Sequence, residues 1–331
     1  MFLNVAIYSG KLFKKYVLDL LRDGEVSFKD KSDTENTLRI CEKFGLPKAE
    51  EFICKLLKRK PRREMQKTET VLADIRVFNT QFQGGDCPDG YVLVPGNESY
   101  YTPGRGEDFC VMKYAASEEE DSNAVSRQGT LPWVDIERAE ADAACRANGE
   151  GYHLITNAEW MTIARDIEAT PENWSGGSVG SGFLPRGNSN SNAALASAND
   201  DDPYHGIGAT DWTHKRTHTL SNGEVIWDMA GNVLQWVANT LTTVENGWKE
   251  FSDLQKFPLD SDIRSLFGPV GNYDSNQGTG MIYMFNRGAV FRGGTWGDNF
   301  GAGIFAANLG ISAVDSTYDI GFRCAVAAGA H

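Results

Sequence analysis

The sequence predicts an α+β protein in which a small helical module precedes a larger body of short strands and two helices. Three observations carry this. Helical periodicity is confined to residues 1–67 and to two stretches between residues 131 and 168. The remainder holds short apolar runs between turn residues and is rich in glycine and large rings, with 35 Gly, 8 Trp, 11 Tyr and 17 Phe in the chain. Charge divides as well: residues 1–80 carry 17 Lys and Arg against 12 Asp and Glu, whereas the whole chain has 32 against 45. Such asymmetry separates two working parts, and the acidic excess of the second repels phosphate backbones, which argues against nucleic acid as the ligand.

In chain order, Leu12, Phe13, Tyr16, Val17, Leu20 and Leu21 share one helical face that stops at Gly24. Ser32 or Asp33 can cap a second helix ending at Gly45, and Pro47 opens a third. The basic run Lys58–Arg63 reads as a solvated helix end, followed by a linker over residues 68–84. No apolar stretch is long enough to cross a bilayer, so no membrane insertion is expected. The opening residues place their charges after a short apolar run, the reverse of a secretory signal.

From residue 85 the texture changes. Cys87-Pro88-Asp89-Gly90 is a turn before a strand from Tyr91, and Phe109–Ser117 reads as a half-buried strand. A helix beginning near Pro132 turns Ile136, Ala139, Ala143 and Ala144 inward. A second, capped by Thr156 or Asn157, buries Trp160, Ile163, Ala164 and Ile167. Residues 171–223, rich in Gly, Ser, Asn and Asp, read as a long surface loop. His214 and His218 fall in it and have no third ligand, so they read as loop or hairpin surface. The six cysteines, Cys41, Cys54, Cys87, Cys110, Cys145 and Cys324, form no CxxC pair. Their even number allows disulfides, but buried free thiols are the expected state.

Further on, Gly293-Gly294 lets the backbone pass close to another element, with Trp296 as a packing anchor. Gly231 permits a tight turn, and Arg292 and Arg323 are expected to be partly buried against backbone carbonyls. No serine-hydrolase elbow, P-loop or HExxH motif is present.

Taken in order and spacing, Tyr91–Gly96 with Phe109–Tyr114, Pro132–Arg165, Ile226–Val237, Phe291–Trp296 and Gly321–Ala325 resemble the formylglycine-generating-enzyme/sulfatase-modifying family over about residues 85–328. The resemblance implies a C-type-lectin-like fold for residues 85–331. Oxidising members hold copper with two cysteines between the last two motifs, yet Thr295–Ile320 contains no Cys. An iron-using branch needs three histidines, some from an N-terminal helical domain, and no His precedes His153. A binding protein rather than an enzyme is therefore expected, with a calcium-dependent sugar lectin and a formylglycine-type oxidase as the alternatives. The resemblance leaves calcium open as a cofactor, at a turn matching Asp228, Gly231, Val233 and Gln235, where Asp and Gln replace the usual Asn and Glu.

Between Gly297 and Ile320 there is no Lys, Glu, Gln, Met, Arg or Trp. Every residue type present can be reached from an Asn codon ending in a pyrimidine by changing its two adenines. The segment 296–320 also resembles the variable region of proteins diversified by retroelements, whose mutagenesis replaces adenines. That resemblance implies a frame of Ala302, Gly303, Phe305, Ala306, Asn308, Leu309 and Ile320. The implied variable positions, and hence the ligand-binding residues, are Gly297, Asp298, Gly301, Gly310, Ile311, Val314, Asp315, Thr317, Tyr318 and Asp319. It further implies a protein or glycan ligand, placement on a virion or cell surface, and an N-terminal module that attaches to a larger assembly.

Overall fold

The computed structural model describes residues 87–97, 106–119, 122–240, 247–253, 258–284 and 288–329. The three helices, basic run and linker expected before residue 85 lie outside them. Cys87–His331 is one of the chain's two compact units.

The short apolar runs become short strands because turn residues interrupt each of them. The strands are β1 (Tyr91–Val94), β2 (Phe109–Met112), β3 (Ser117–Glu118), β4 (Ala124–Val125), β5 (His153–Leu154), β6 (Thr217–Thr219) and β7 (Val225–Trp227). They continue with β8 (Leu234–Thr240), β9 (Gly247–Lys249), β10 (Ile282–Met284), β11 (Ala289–Arg292), β12 (Ala307–Ile311), β13 (Ile320–Gly321) and β14 (Cys324–Ala327). One sheet has the order β1-β2-β14-β5, which places the penultimate segment of the chain beside the first described strands. A larger sheet has the order β13-β8-β11-β12-β10-β9, antiparallel except at β13–β8 and β10–β12. The strand pair β2–β14 explains why Phe109–Met112 is buried throughout rather than half buried: β2 is central in its sheet.

Helix α1 (Arg138–Arg146) starts six residues later than its Pro132 signal suggested. Asp135 adopts a left-handed φ of 57°, and the preceding stretch stays extended. The shifted start rotates the buried face to Ala141, Ala144 and Cys145, and leaves Ala139 and Ala143 exposed. Helix α2 (Asn157–Ala169) matches its signal. Thr156 is the cap, and its hydroxyl and the Glu159 carboxylate form a reciprocal capping box. Helix α3 (Pro258–Phe267) packs on α2.

Four tryptophans are fully buried and each indole N–H finds an acceptor. Trp160 donates to the Ile304 carbonyl, Trp236 to Ile136, Trp174 to Glu168, and Trp227 to the Asp200 carboxylate. The loop of residues 171–223 is only partly surface. Trp174, Leu184, Asn188, Arg216 and His218 from it are buried, and Thr217–Thr219 pairs with Val225–Trp227 as a hairpin.

The free-thiol expectation is wrong for four cysteines. Cys87 pairs with Cys110, and Cys145 with Cys324, at Cα separations of 5.5 and 5.4 Å. The second bond ties α1 to the closing strand across a sequence separation of 179. Closing so long a loop removes much freedom from the unfolded chain. Replacing Cys145 and Cys324 together by Ala should lower the unfolding free energy by about 3–5 kcal/mol, measured by urea denaturation. A loss below about 1 kcal/mol would show that the bond adds little.

Candidate functional site

The segment from β11 to β14 is divided sharply between locked and open positions. Gly293 and Gly294 have φ of 91° and 82°, which L side chains rarely adopt. A Cβ on Gly294 would lie 2.6 Å from the Ala302 Cα, and one on Gly303 would collide with the backbone of Thr279 and Gly280. Ala302, Ile304, Phe305, Ala306, Leu309 and Ile320 are buried. The expected frame is thus a packed wall, held from behind by the Trp160 bond to Ile304.

The candidate variable positions sit differently. A Cβ on Gly297 would meet only the Thr295 hydroxyl, at 3.8 Å, and one on Gly301 would touch the Asp298 Cβ at 3.6 Å. Neither glycine needs a left-handed φ. Val314 and Tyr318 are 66% and 65% exposed, and Thr317 is exposed. Tyr318 stacks on Trp296 at 6.2 Å, which draws residues 314–319 toward the start of the segment. Gly310 departs from the pattern, because a Cβ there would approach Tyr283 Cδ1 to 2.7 Å, so that ring must move for any side chain to fit. Ile311 ends β12.

Two of the aspartates also shape their own turns. Asp298 accepts from the Thr295 amide at 2.7 Å, and Asp315 from the Ser312 amide at 2.9 Å. Burial, and the nearby Asp319, push the Asp298 carboxyl above the usual carboxylate range. Asp319 accepts from the Thr317 hydroxyl at 2.5 Å.

The loop of residues 312–319 is positioned by main-chain atoms. The Asp135 amide donates to the Thr317 carbonyl, Arg138 to Ala313, Leu234 to Asp319, and Ile320 to Thr317. None of these bonds depends on which side chain the loop carries.

Trp248 and Tyr283 were not anticipated. They stand across the β9–β10 pair with ring centroids 5.1 Å apart, and Trp248 Cζ3 lies 4.0 Å from where a side chain at 301 would begin. Their strands are too short for a period-2 signal, so spacing in the sequence could not place them at this surface.

The turn at which the resemblance leaves calcium open holds a guanidinium. Asp228, at φ 51°, accepts from Arg216 Nε at 2.9 Å and Nη2 at 2.6 Å. The remaining Arg216 N–H groups donate to the carbonyls of Ala196, His205 and Leu195, so all five are satisfied. Gln235 accepts from Arg323 Nε at 2.6 Å and donates to the Asp228 carbonyl at 2.8 Å. Gly231 and Val233 remain turn and core residues. The side-chain oxygens of Asp228 and Gln235 that a calcium ion would need are occupied by Arg216 and Arg323, so the donor set does not fit calcium. Among the described residues no group of three or more His, Cys, Asp or Glu could hold a metal ion.

Arg323 and Arg292 are fully rather than partly buried. Arg323 also donates to the Met112 and Trp227 carbonyls, and burial lowers it to about 10. Arg292 donates to the Phe267 carbonyl and Met161 Sδ, while its Nε and Nη1 have no partner; burial lowers it to about 9. His214 pairs with Asp211 at 2.7 Å. His218 is buried, its Nε2 donates to the Pro185 carbonyl at 3.3 Å, and burial lowers it to about 3.

The family model for the FGE-sulfatase group, a sulfatase-modifying factor enzyme 1-like domain, matches residues 44–328. The chain belongs to that family. No curated protein sequence matches it. Among solved structures it is similar to the Major Tropism Determinant U1 variant, at 14% identity over 73% of this chain and 53% of that one, with a TM-score of 0.39. It is also similar to PvdO from Pseudomonas aeruginosa (14% identity, 72% and 94% covered, TM-score 0.32) and to Treponema denticola variable protein 1 (16%, 70% and 90%, TM-score 0.29). The chain spans about half the length of the tropism determinant chains it matches. As a family member it lacks the thiol pair of the oxidising enzymes: Thr295–Ile320 has no Cys, and Cys324 is bonded to Cys145.

Two measurements test the buried groups. Arg216→Met leaves the Asp228 carboxylate buried and unpaired, and should cost about 3–5 kcal/mol, whereas adding EDTA or calcium to the unaltered protein should leave the Tm unchanged. A Tm that falls with EDTA would overturn the guanidinium assignment. His218 is neutral in the folded protein down to about pH 3, while the unfolded chain protonates it below about 6.5. Its contribution is complete above pH 6.5 and is lost as pH falls toward 3, by roughly 1.4 kcal/mol per pH unit. Stability against pH should therefore fall more steeply in the native protein than in His218→Gln; parallel curves would refute this.

Proposed function

We propose that this chain is a ligand- or receptor-binding display protein whose C-terminal surface is diversified by retroelement mutagenesis. One observation carries the reading: all of the frame but the half-buried Asn308 is buried, whereas the variable positions whose burial is described are half-buried or exposed, Gly310 alone being crowded, by the Tyr283 ring. Gly294 and Gly303 admit no Cβ without backbone collision, whereas Gly297 and Gly301 do. Six of the seven frame residues are buried and Asn308 is half-buried, while Val314, Thr317 and Tyr318 face solvent on a loop anchored by main-chain bonds. Diversification requires that residues change without unfolding the scaffold, and this arrangement provides for it.

The ligand-binding residues in this reading are Gly297, Asp298, Gly301, Gly310, Ile311, Val314, Asp315, Thr317, Tyr318 and Asp319. The protein is not an enzyme, its ligand lies on another cell, and residues 1–67 attach it to a virion or cell surface. Two disulfides among the described residues suit an oxidising exterior. Among those residues no helix is long and apolar enough to cross a membrane.

The genome supplies the direct test. A near-repeat of the coding segment for residues 296–320, with Asn codons at the ten positions and a reverse-transcriptase gene beside it, is expected. Isolates in which the ten positions stay constant while the scaffold drifts would refute the reading. The stability counterpart is that Gly297→Asn, Gly301→Ser and Val314→Asn each change the unfolding free energy by less than about 0.5 kcal/mol, whereas Gly294→Ala and Gly303→Ala each cost more than about 2 kcal/mol.

A further inference from the structure

The exposed face continues beyond the ten positions. Trp248, 50% exposed, packs at a tilt against Tyr283 and borders position 301, while the Tyr283 ring borders position 310. Phe300, 53% exposed, carries the Arg186 guanidinium against its ring at 4.5 Å. Asp298 stands two residues after Trp296, which stacks with Tyr318, and its Cβ lies 3.6 Å from where a side chain at 301 would begin. Rings and carboxylates therefore share one face. Trp248 and Tyr283 stand on β9 and β10, outside the segment that is proposed to vary.

Charge selects among occupants. The chain carries a formal −13, and all of that excess lies after residue 80. Aromatic faces attract cations through their quadrupole, and the Arg186–Phe300 contact already realises that pairing within the protein. Asp298 and Asp319 add two half-buried carboxylates to the same segment, and a carboxylate attracts a cation placed beside it. A neutral sugar ring stacks on the same indole but does nothing for the two carboxylates.

We infer that Trp248, Tyr283 and Phe300 form an aromatic platform beside the variable positions, and that with Asp298 and Asp319 it receives arginine or lysine side chains of a protein ligand. This rests on the reading of that face as the ligand surface. The platform supplies attraction common to basic partners, and the ten positions choose among them.

The test uses the full chain, labelled with nitrogen-15, and follows its indole N–H resonances, with Trp248 assigned through Trp248→Phe. The probes are hexa-arginine amide, the uncharged hexa-citrulline amide, and the methyl pyranosides of mannose and galactose. Hexa-arginine should shift the Trp248 and Trp296 resonances, and its apparent affinity should fall at least fivefold in Trp248→Ala and in Asp298→Asn/Asp319→Asn. Trp248→Phe, which keeps a ring, should retain most of it. Citrulline and sugars should shift neither resonance. A sugar response without an arginine response would make the platform a glycan site and overturn the inference. Arginine binding that ignores Trp248 would reduce it to diffuse charge attraction, and silence from every probe would also refute it. Thermal melts of each variant confirm that it is folded. The genomic test of the preceding reading depends on neither Trp248 nor charge, so the two can fail separately.

Discussion

A single buried guanidinium organises the centre of this molecule. Arg216 places its five N–H groups on the two Asp228 carboxylate oxygens and on three carbonyls from residues 195–205. Asp228 continues the chain through its own carbonyl to Gln235 on β8, and Gln235 continues it to Arg323, which reaches the Met112 carbonyl on β2. One polar thread thus runs from a long loop through the larger sheet and into the smaller one. Leaving a buried charge without its partners is costly, so loss of one member destabilises the others. The positive φ values at Asp228 and Asn232 are the local strain that this thread holds.

The ligand face follows from that organisation. The thread fixes the start of β8, whose Leu234 amide holds Asp319, and β8 pairs with β11, which leads into the Gly293-Gly294 crossing. Trp160 reaches across from α2 to Ile304, and the disulfide at Cys324 secures the strand in which the segment ends. What projects beyond this frame is side chain, carried on main chain that the frame has already bound.

Much of this was legible in the sequence where the signal was local. The capping box of Thr156 and Glu159, the buried face of α2 and the glycine crossing each state their requirement within a few residues. Long-range pairings were not legible. Nothing near Cys145 announces Cys324, so free thiols are expected where a disulfide stands, and nothing near Asp228 announces Arg216, so the sequence leaves the turn open to calcium. The α1 face was misread because Pro132 marks an extended entry rather than a first helical residue, and Asp135 delays the helix by its left-handed backbone. Trp248 and Tyr283 reach the face only through β9 and β10, whose three residues apiece carry no periodicity to read.

Main-chain anchoring of residues 312–319 has a consequence for how many sequences this scaffold can hold. An average substitution destabilises a protein by about 1 kcal/mol, and a domain of ordinary stability has about 5–15 kcal/mol in hand. Ten simultaneous changes at ordinary positions would unfold much of a population before any ligand was met. Here the bonds from Asp135, Arg138 and Leu234 end on carbonyls, which every amino acid possesses. These anchors therefore survive a change of side chain on that loop, and what such a change risks is confined to local turn bonds such as that of Asp315 to the Ser312 amide.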